Sequence, residues 1–270
     1  MTDEVVARVL ASTRYRDVDR ALLTRLAVEE LPRARNADDA AKRVKRRLHQ
    51  AVGAYRGRAA ARAGDELRAT WTGEWDEPMR DACRRALERH ASTRERIGEL
   101  ERFYAEAWDA VGAVPGSVLD LACGLNPLAL PFMGLDAGAE YLACDVDGRV
   151  LEEVEAFLTL VGQPHRTWAC DLVTGAPPDA ADVALLLKTV PLLDRQDPTA
   201  AVRVLSALRA KHAVVSFPAR SLGGRGRLER AYRSRMDGLI RELGPRVASS
   251  TELRLGSELV YVLALGEPGG

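Results

Sequence analysis

Apolar residues recur at helical spacing through the first hundred positions, then switch abruptly to short runs. Val5, Val6, Val9 and Leu10, and again Leu22, Leu23 and Leu26, fall three and four apart. That spacing predicts helices with one buried stripe. Asn36-Ala37-Asp38-Asp39 offers an N-cap for a further helix. In it Val44 and Leu48 face inward, while Lys45, Arg46 and Arg47 project around the other side. Gly53, Gly57, Gly64, Gly73 and Pro78 predict a loop or linker over residues 53–78. Helical spacing returns over residues 78–111, with a bend at Ser92-Thr93-Arg94-Glu95-Arg96, where Ser92 or Thr93 would cap a new helix.

After Pro115-Gly116 short apolar runs alternate with helical segments. The expected strands are Ser117–Ala122, Glu140–Cys144, Arg166–Cys170, Asp182–Leu187 and Ala213–Phe217. Helices are expected at Val150–Val161, Ala200–Arg209 and Gly223–Leu243, and Thr251–Leu255 with Glu258–Leu265 should close the chain as a hairpin. Strand-helix alternation implies an α/β fold, a Rossmann-like parallel sheet covered on both faces, with an antiparallel strand added by the hairpin. The expected organisation is a helical N-terminal domain over residues 1–76 and a ligand-binding sheet domain over residues 77–270.

In such a sheet, ligands sit beyond the carboxyl ends of the strands. Three polar features fall there. Asp120-Leu-Ala-Cys-Gly124-Leu-Asn-Pro127 follows the first strand, and Gly124 lets backbone approach a ligand closely. Asp145 ends the second strand, where a carboxylate can accept from both ribose hydroxyls. Asp171 follows the third; it can accept from an adenine amino group while Leu172 packs on the ring. A dinucleotide site wants G-x-G-x-x-G to cradle a pyrophosphate. This turn has one glycine and a proline instead. S-adenosyl-L-methionine is a nucleoside ligand without phosphates, and it fits three strand-end features better.

Formal net charge is zero, but its distribution is uneven. Arg14 to Arg68 holds 15 Lys/Arg against 8 Asp/Glu, and Arg220 to Arg246 holds 8 Arg against 3 acids. Local basic faces, not net charge, bind phosphate backbones. The four cysteines form no C-x-x-C pair and have no histidine cluster beside them, so no metal is expected. No apolar run approaches a membrane span, and the acidic start Met1-Thr2-Asp3-Glu4 lacks a signal-peptide pattern; the expected location is cytoplasmic.

With these features the chain resembles the aminoglycoside-resistance 16S rRNA methyltransferases that modify N7 of guanosine 1405, in particular the branch found in antibiotic-producing actinomycetes. The resemblance runs nearly end to end. It is carried by His90-Ala-Ser-Thr-Arg-Glu-Arg96, Asp120 to Pro127, Met133-Gly-Leu135, Pro164-His-Arg-Thr167, Ala181 to Thr189, Phe217-Pro218, Ser221-Leu-Gly223 and Glu258-Leu-Val-Tyr261, with Lys42-Arg43-x-Lys45-Arg46-x-Leu48-His49 upstream. The chain departs from the family pattern at Val190-Pro191-Leu192-Leu193 and over residues 57–78.

The resemblance implies a role for each matching position. Arg96 would bind the methionine carboxylate of S-adenosyl-L-methionine, with His90, Ala91, Ser92 and Tyr55 beside it. Ala122 and Gly124 would pass along the methionine portion, Asp145 would hold the ribose, and Asp171 and Leu172 the adenine. Leu187 and Gln196 would close the pocket near the transferring methyl. Arg43, Lys45, Arg46 and Arg47 would dock on 16S rRNA in the 30S subunit, with Arg225, Arg227, Arg230 and Arg233 extending that surface, and the protein would act as a monomer. Lys188, at the ligand end of the fourth strand, would steady a flipped target base; an ion pair within the fold is the alternative reading of that lysine. N7 of guanine carries a lone pair and no proton, so no general base is expected. Three other readings stay open: methylation of a nearby adenosine at N1, a small-molecule methyltransferase, and a non-catalytic RNA-binding module that kept the fold.

Overall fold

The computed structural model describes residues 1–49, 60–89, 91–219 and 225–267, without the side chains of 60–63, 91 and 225. Three helices open the chain: α1 (Thr2–Leu10), α2 (Arg20–Glu30) and α3 (Ala37–Leu48). Asp19 caps α2, its carboxylate accepting from the Leu22 N–H at 2.8 Å. Asn36 caps α3 as the sequence suggests, accepting from the Asp39 N–H at 2.9 Å. The apolar stripes meet in one core that includes Val5, Val9, Leu23, Leu26, Val44 and Leu48. Fully burying side chains of this size stabilises by about 1.5–3 kcal/mol each.

The expected linker over 53–78 proves to contain a helix, α4 (Ala60–Thr70). Gly64 sits inside it without breaking it. The reason is tertiary: Leu67 is buried in the core beneath the sheet, and such packing outweighs the roughly 1 kcal/mol that a helical glycine costs. Then follow α5 (Glu77–Glu88), a short α6 (Ala91–Arg94) and α7 (Leu100–Val111). The bend between them is present, but its chemistry differs from the expected cap. The Thr93 hydroxyl donates back to the Leu87 carbonyl, finishing α5 instead of starting a helix.

The sheet holds β1 (Ser117–Leu121), β2 (Glu140–Asp145), β3 (His165–Ala169), β4 (Ala180–Leu187), β5 (Arg209–Pro218), β6 (Val247–Leu255) and β7 (Glu258–Leu265). Its order is β3-β2-β1-β4-β5-β7-β6, with β7 antiparallel to both neighbours. Helices α8 (Gly148–Val161), α9 (Val190–Gln196), α10 (Ala200–Ala207) and α11 (Arg225–Leu243) complete the described chain. Strand β5 starts at Arg209, earlier than the apolar run at Ala213 suggests. Exposed Arg209 and Lys211 alternate with buried Ala210, and Arg209 and Ala210 pair with Ala180 and Ala181 of β4. Helix α9 was not legible either; Pro191 lies in its first turn, while Val190 and Leu193 are buried.

The strand order reverses between β1 and β4, which opens a crevice at their carboxyl ends. The N-terminal helices are docked beside it. Val18 bridges Asp147, the Asp19 N–H donates to the Val146 carbonyl at 2.9 Å, and the Gly148 N–H donates to the Asp17 carbonyl at 2.7 Å. A Cβ at position 148 would lie 2.6 Å from that carbonyl oxygen, so only glycine fits there. Arg149 pairs with the Asp17 carboxylate across the same seam.

Candidate functional site

At the strand ends the backbone takes conformations that side chains normally avoid. Ala122 after β1 has φ 53° and Lys188 after β4 has φ 58°; no other described non-glycine residue has positive φ. Gly124 shares the region at φ 52°. A non-glycine residue there costs roughly 1–2 kcal/mol, and such strain gathers at functional sites. Between these turns lies an open cleft of about 890 Å³.

One end of the cleft suits a nucleoside. Asp145 Oδ2 accepts from the Gly124 N–H at 3.0 Å and Oδ1 from the Asp147 N–H at 2.9 Å. Burial raises the Asp145 carboxyl above its ordinary range, and the two N–H groups oppose that rise. Asp171 Oδ1 accepts from the Val173 N–H at 3.1 Å. Its Oδ2 accepts from Arg25 Nε at 2.6 Å, a residue of α2. Leu172, Val150 and Leu193 supply apolar wall. Two aimed carboxylates among apolar side chains form an acceptor set for the hydroxyls of a ribose and the amino group of a ring.

The other end carries Ser92, Ala122, Leu187 and Lys188. Lys188 is 6% exposed. Its Nζ donates to the Ser92 carbonyl at 2.9 Å and to Glu95 Oε2 at 2.7 Å, and lies 3.3 Å from Glu258 Oε1. It therefore forms an ion pair within the fold and also lines the cleft.

Arg96 sits elsewhere than expected. It does not line the cleft. Nε and Nη2 donate to the two oxygens of Glu258 at 3.0 and 2.8 Å, and Nη1 donates to Asn126 Oδ1 at 2.9 Å. Its guanidinium lies 4.2 Å from the centre of the Phe103 ring. Glu258, 1% exposed, supplies the carboxylate that a free arginine would otherwise seek. Burial opposes ionisation of Glu258, but Arg96 and Lys188 outweigh it and hold its carboxyl below the ordinary range. Beneath the turn, Asp120 Oδ2 accepts from the Tyr141 hydroxyl at 2.7 Å and from Asn126 Nδ2 at 2.9 Å. Burial pushes the Asp120 carboxyl up to about 7.

Of the expected site residues, Ser92, Ala122, Gly124, Asp145, Asp171, Leu172, Leu187, Lys188 and Gln196 come together in the cleft. Gln196 differs in position: it shares Arg25 with Asp171, which puts it at the Asp171 end, not beside the residues at the end of β4. Tyr55 and His90 lie outside the described residues, as does the Ala91 side chain. Sequence reasoning missed Leu22, Arg25 and Asp147. Leu22 looks like ordinary core, and nothing near Arg25 marks it; only the fold brings α2 to the strand ends.

The expected basic set divides in two. Lys45 and Arg46 make no ion pair with a described residue, and the same holds for Lys42. Arg43 lies against Asp39 and Glu30, and Arg47 pairs with Glu29 and Glu30. On α11, Arg227 and Arg230 are exposed, whereas Arg233 is held by Glu252 and Glu229. The Arg225 side chain lies outside the described residues.

Comparison with known proteins agrees with this geometry. The family model described as "Ribosomal RNA methyltransferase (FmrO)" matches residues 11–262. A 16S rRNA (guanine(1405)-N(7))-methyltransferase from Micromonospora echinospora is 39% identical over 97% of this chain and 96% of its own. One of the same description from Frankia casuarinae is 40% identical over 97% and 93%. Among solved structures, the 16S rRNA methyltransferase RmtF in complex with S-adenosyl-L-homocysteine superposes with a TM-score of 0.84 at 34% identity, covering 98% of both chains. A family model spanning most of the chain, full-length relatives at this identity and a shared fold agree: the chain belongs to the ribosomal RNA methyltransferase (FmrO) family.

Proposed function

We propose that this protein transfers a methyl group from S-adenosyl-L-methionine to N7 of guanosine 1405 in 16S rRNA of the assembled 30S subunit. The product would give resistance to 4,6-disubstituted aminoglycosides. The observation that carries the reading is the pair of aimed carboxylates, Asp145 and Asp171, in a cleft whose turn after β1 has one glycine and a proline in place of G-x-G-x-x-G. The relatives described as guanosine-1405 N7-methyltransferases point to the same target.

Bound there, S-adenosyl-L-methionine would supply an electrophilic methyl for the N7 lone pair, with its thioether as the leaving group. The chain's own residues position the two reactants. Asp145 would accept from the ribose and Asp171 from the adenine, and Leu172 would pack on the ring. Arg96, held by Glu258 and Asn126 outside the cleft, would support the β1 turn from behind and not bind the methionine carboxylate. Lys188 steadies the flipped guanine at the β4 end. No residue removes a proton, because N7 carries none.

Docking falls to the N-terminal helices through Lys45 and Arg46 of α3, and to Arg227 and Arg230 of α11, with phosphate contacts dominating. The protein would work as a monomer in the cytoplasm, where 30S subunits are found. No helix among the described residues is long and apolar enough to cross a membrane. The test is mass mapping of 16S rRNA from cells expressing the chain, with primer extension alongside. Methylation at N7 of guanosine 1405, with resistance to 4,6-disubstituted aminoglycosides and retained apramycin sensitivity, is expected. A mark on a neighbouring adenosine, or no mark, overturns the reading.

A further inference from the structure

The nucleoside end of the cleft is finished by a residue from the N-terminal helices. Arg25 reaches across the seam and binds three acceptors at once: Asp171 Oδ2 through Nε at 2.6 Å, Gln196 Oε1 through Nη2 at 3.2 Å and Glu29 Oε1 through Nη1 at 2.9 Å. Asp171 follows β3, and Gln196 ends α9. These elements are separate in sequence, and the guanidinium fork joins their polar groups. Side-chain exposures of 17% for Arg25 and 6% for Asp171 mean water screens the pair weakly.

The geometry restricts both cleft groups. Asp171 Oδ1 is already fixed by the Val173 N–H at 3.1 Å. With Oδ2 held by Arg25, the plane of the carboxylate is set. Gln196 is likewise held through its oxygen, which turns its NH₂ away from Arg25. Arg25 is itself buttressed, because Glu29 also pairs with Arg47 of α3. A lysine could not reproduce this, since one ammonium on a flexible stem lacks the rigid fork.

We propose that Arg25 is a positioning residue of the cofactor cleft: it aims Asp171 and Gln196 at the adenine edge, so the N-terminal helices complete the adenine pocket. The inference rests on the reading of the cleft as an S-adenosyl-L-methionine site. Arg25 itself need not touch the ligand. Its effect should therefore fall on recognition of the 6-amino group more than on affinity in general.

Calorimetric titration of S-adenosyl-L-homocysteine and S-inosyl-L-homocysteine into the full chain and its variants tests this. The inosine analogue keeps the ribose and amino-acid portions but lacks the 6-amino donor. The wild type should prefer the adenosine ligand by about 10-fold or more, the size of one hydrogen bond to a charged acceptor. In Arg25→Ala that preference should shrink to about 2-fold, mainly by weaker binding of the adenosine ligand. Arg25→Lys should fall between, and it supplies the same ratio if the alanine variant does not fold. An unchanged preference in both variants, even with weaker binding of both ligands, overturns the proposal and leaves Arg25 a structural ion pair. Wild-type protein that binds neither ligand overturns the cofactor reading itself, and the inference with it.

Discussion

Lys188 stands between two roles, and its substitution separates them. Its amine is tied to Glu95 and the Ser92 carbonyl, yet the residue lines the cleft in a strained backbone conformation. Lys188→Ala should lower the rate of methyl transfer by about 10²-fold, as misplacement at a reacting centre does, with 30S affinity nearly unchanged. Single-turnover methylation together with filter binding reads both, and a loss confined to affinity contradicts the role. Arg96→Ala addresses the neighbouring pair. It strips the bidentate partner from buried Glu258 and should lower unfolding free energy by about 3–5 kcal/mol in urea titration. Adding Glu258→Gln should recover part of that loss, because it removes a buried carboxylate left with Lys188 alone as its cationic partner. Asp120 makes a pH-dependent case. Unfolded, its carboxyl titrates near 3.8; folded, burial pushes it up to about 7. Between those values the folded chain keeps a proton that the unfolded chain has shed. This group's contribution to stability is therefore lost as pH rises from about 4 to about 7. The melting temperature of Asp120→Asn, relative to wild type, should rise between about pH 4 and 7; a difference independent of pH would place the proton elsewhere. Asp120, Asp145 and Asp171 were legible in the sequence because each lies near or just beyond the carboxyl end of an expected strand. The partnership of Arg96 with Glu258 was not, since 162 positions separate them.

Among the elements, α3 and α11 show why a charge run is a poor guide by itself. Periodicity places Val44 and Leu48 inward and leaves the basic residues outward, which the structure bears out. It cannot say which of those residues already hold an acid. Lys45→Glu with Arg46→Glu should weaken 30S binding at least 10-fold and flatten its salt dependence, leaving S-adenosyl-L-homocysteine binding intact. Arg233→Glu should instead act on the fold, because it opposes Glu252 and Glu229 at the junction of α11 with β6. A melting temperature reduced only in the Arg233 variant is the expected pattern. The misread elements share a cause. Helix α4, the first residues of β5 and all of α9 owe their form to partners distant in sequence, so local composition suggested a linker, a helix end and an irregular stretch.

At the scale of the whole molecule, the sheet order places the crevice between β1 and β4; strand-helix alternation foretold only that ligands sit at the carboxyl ends of the strands. What alternation could not show is that the N-terminal helices form part of the crevice wall through Leu22, with Arg25 holding Asp171. The seam is narrow where Gly148 meets the Asp17 carbonyl with no room for a Cβ. Gene shuffling gives this fit a practical meaning. A recombinant joining the first 76 residues of one relative to the remainder of another inherits two halves of a keyed joint from different parents. Crossovers that carry Asp17, Asp19 and Arg25 together with a matching Asp147-Gly148-Arg149 turn and Asp171 should yield soluble, resistance-conferring chimeras. Those that divide the set should be lost from an aminoglycoside selection, however similar their cores. Survivors that ignored this pairing would show that the joint is dispensable, and sequencing them would reveal it directly.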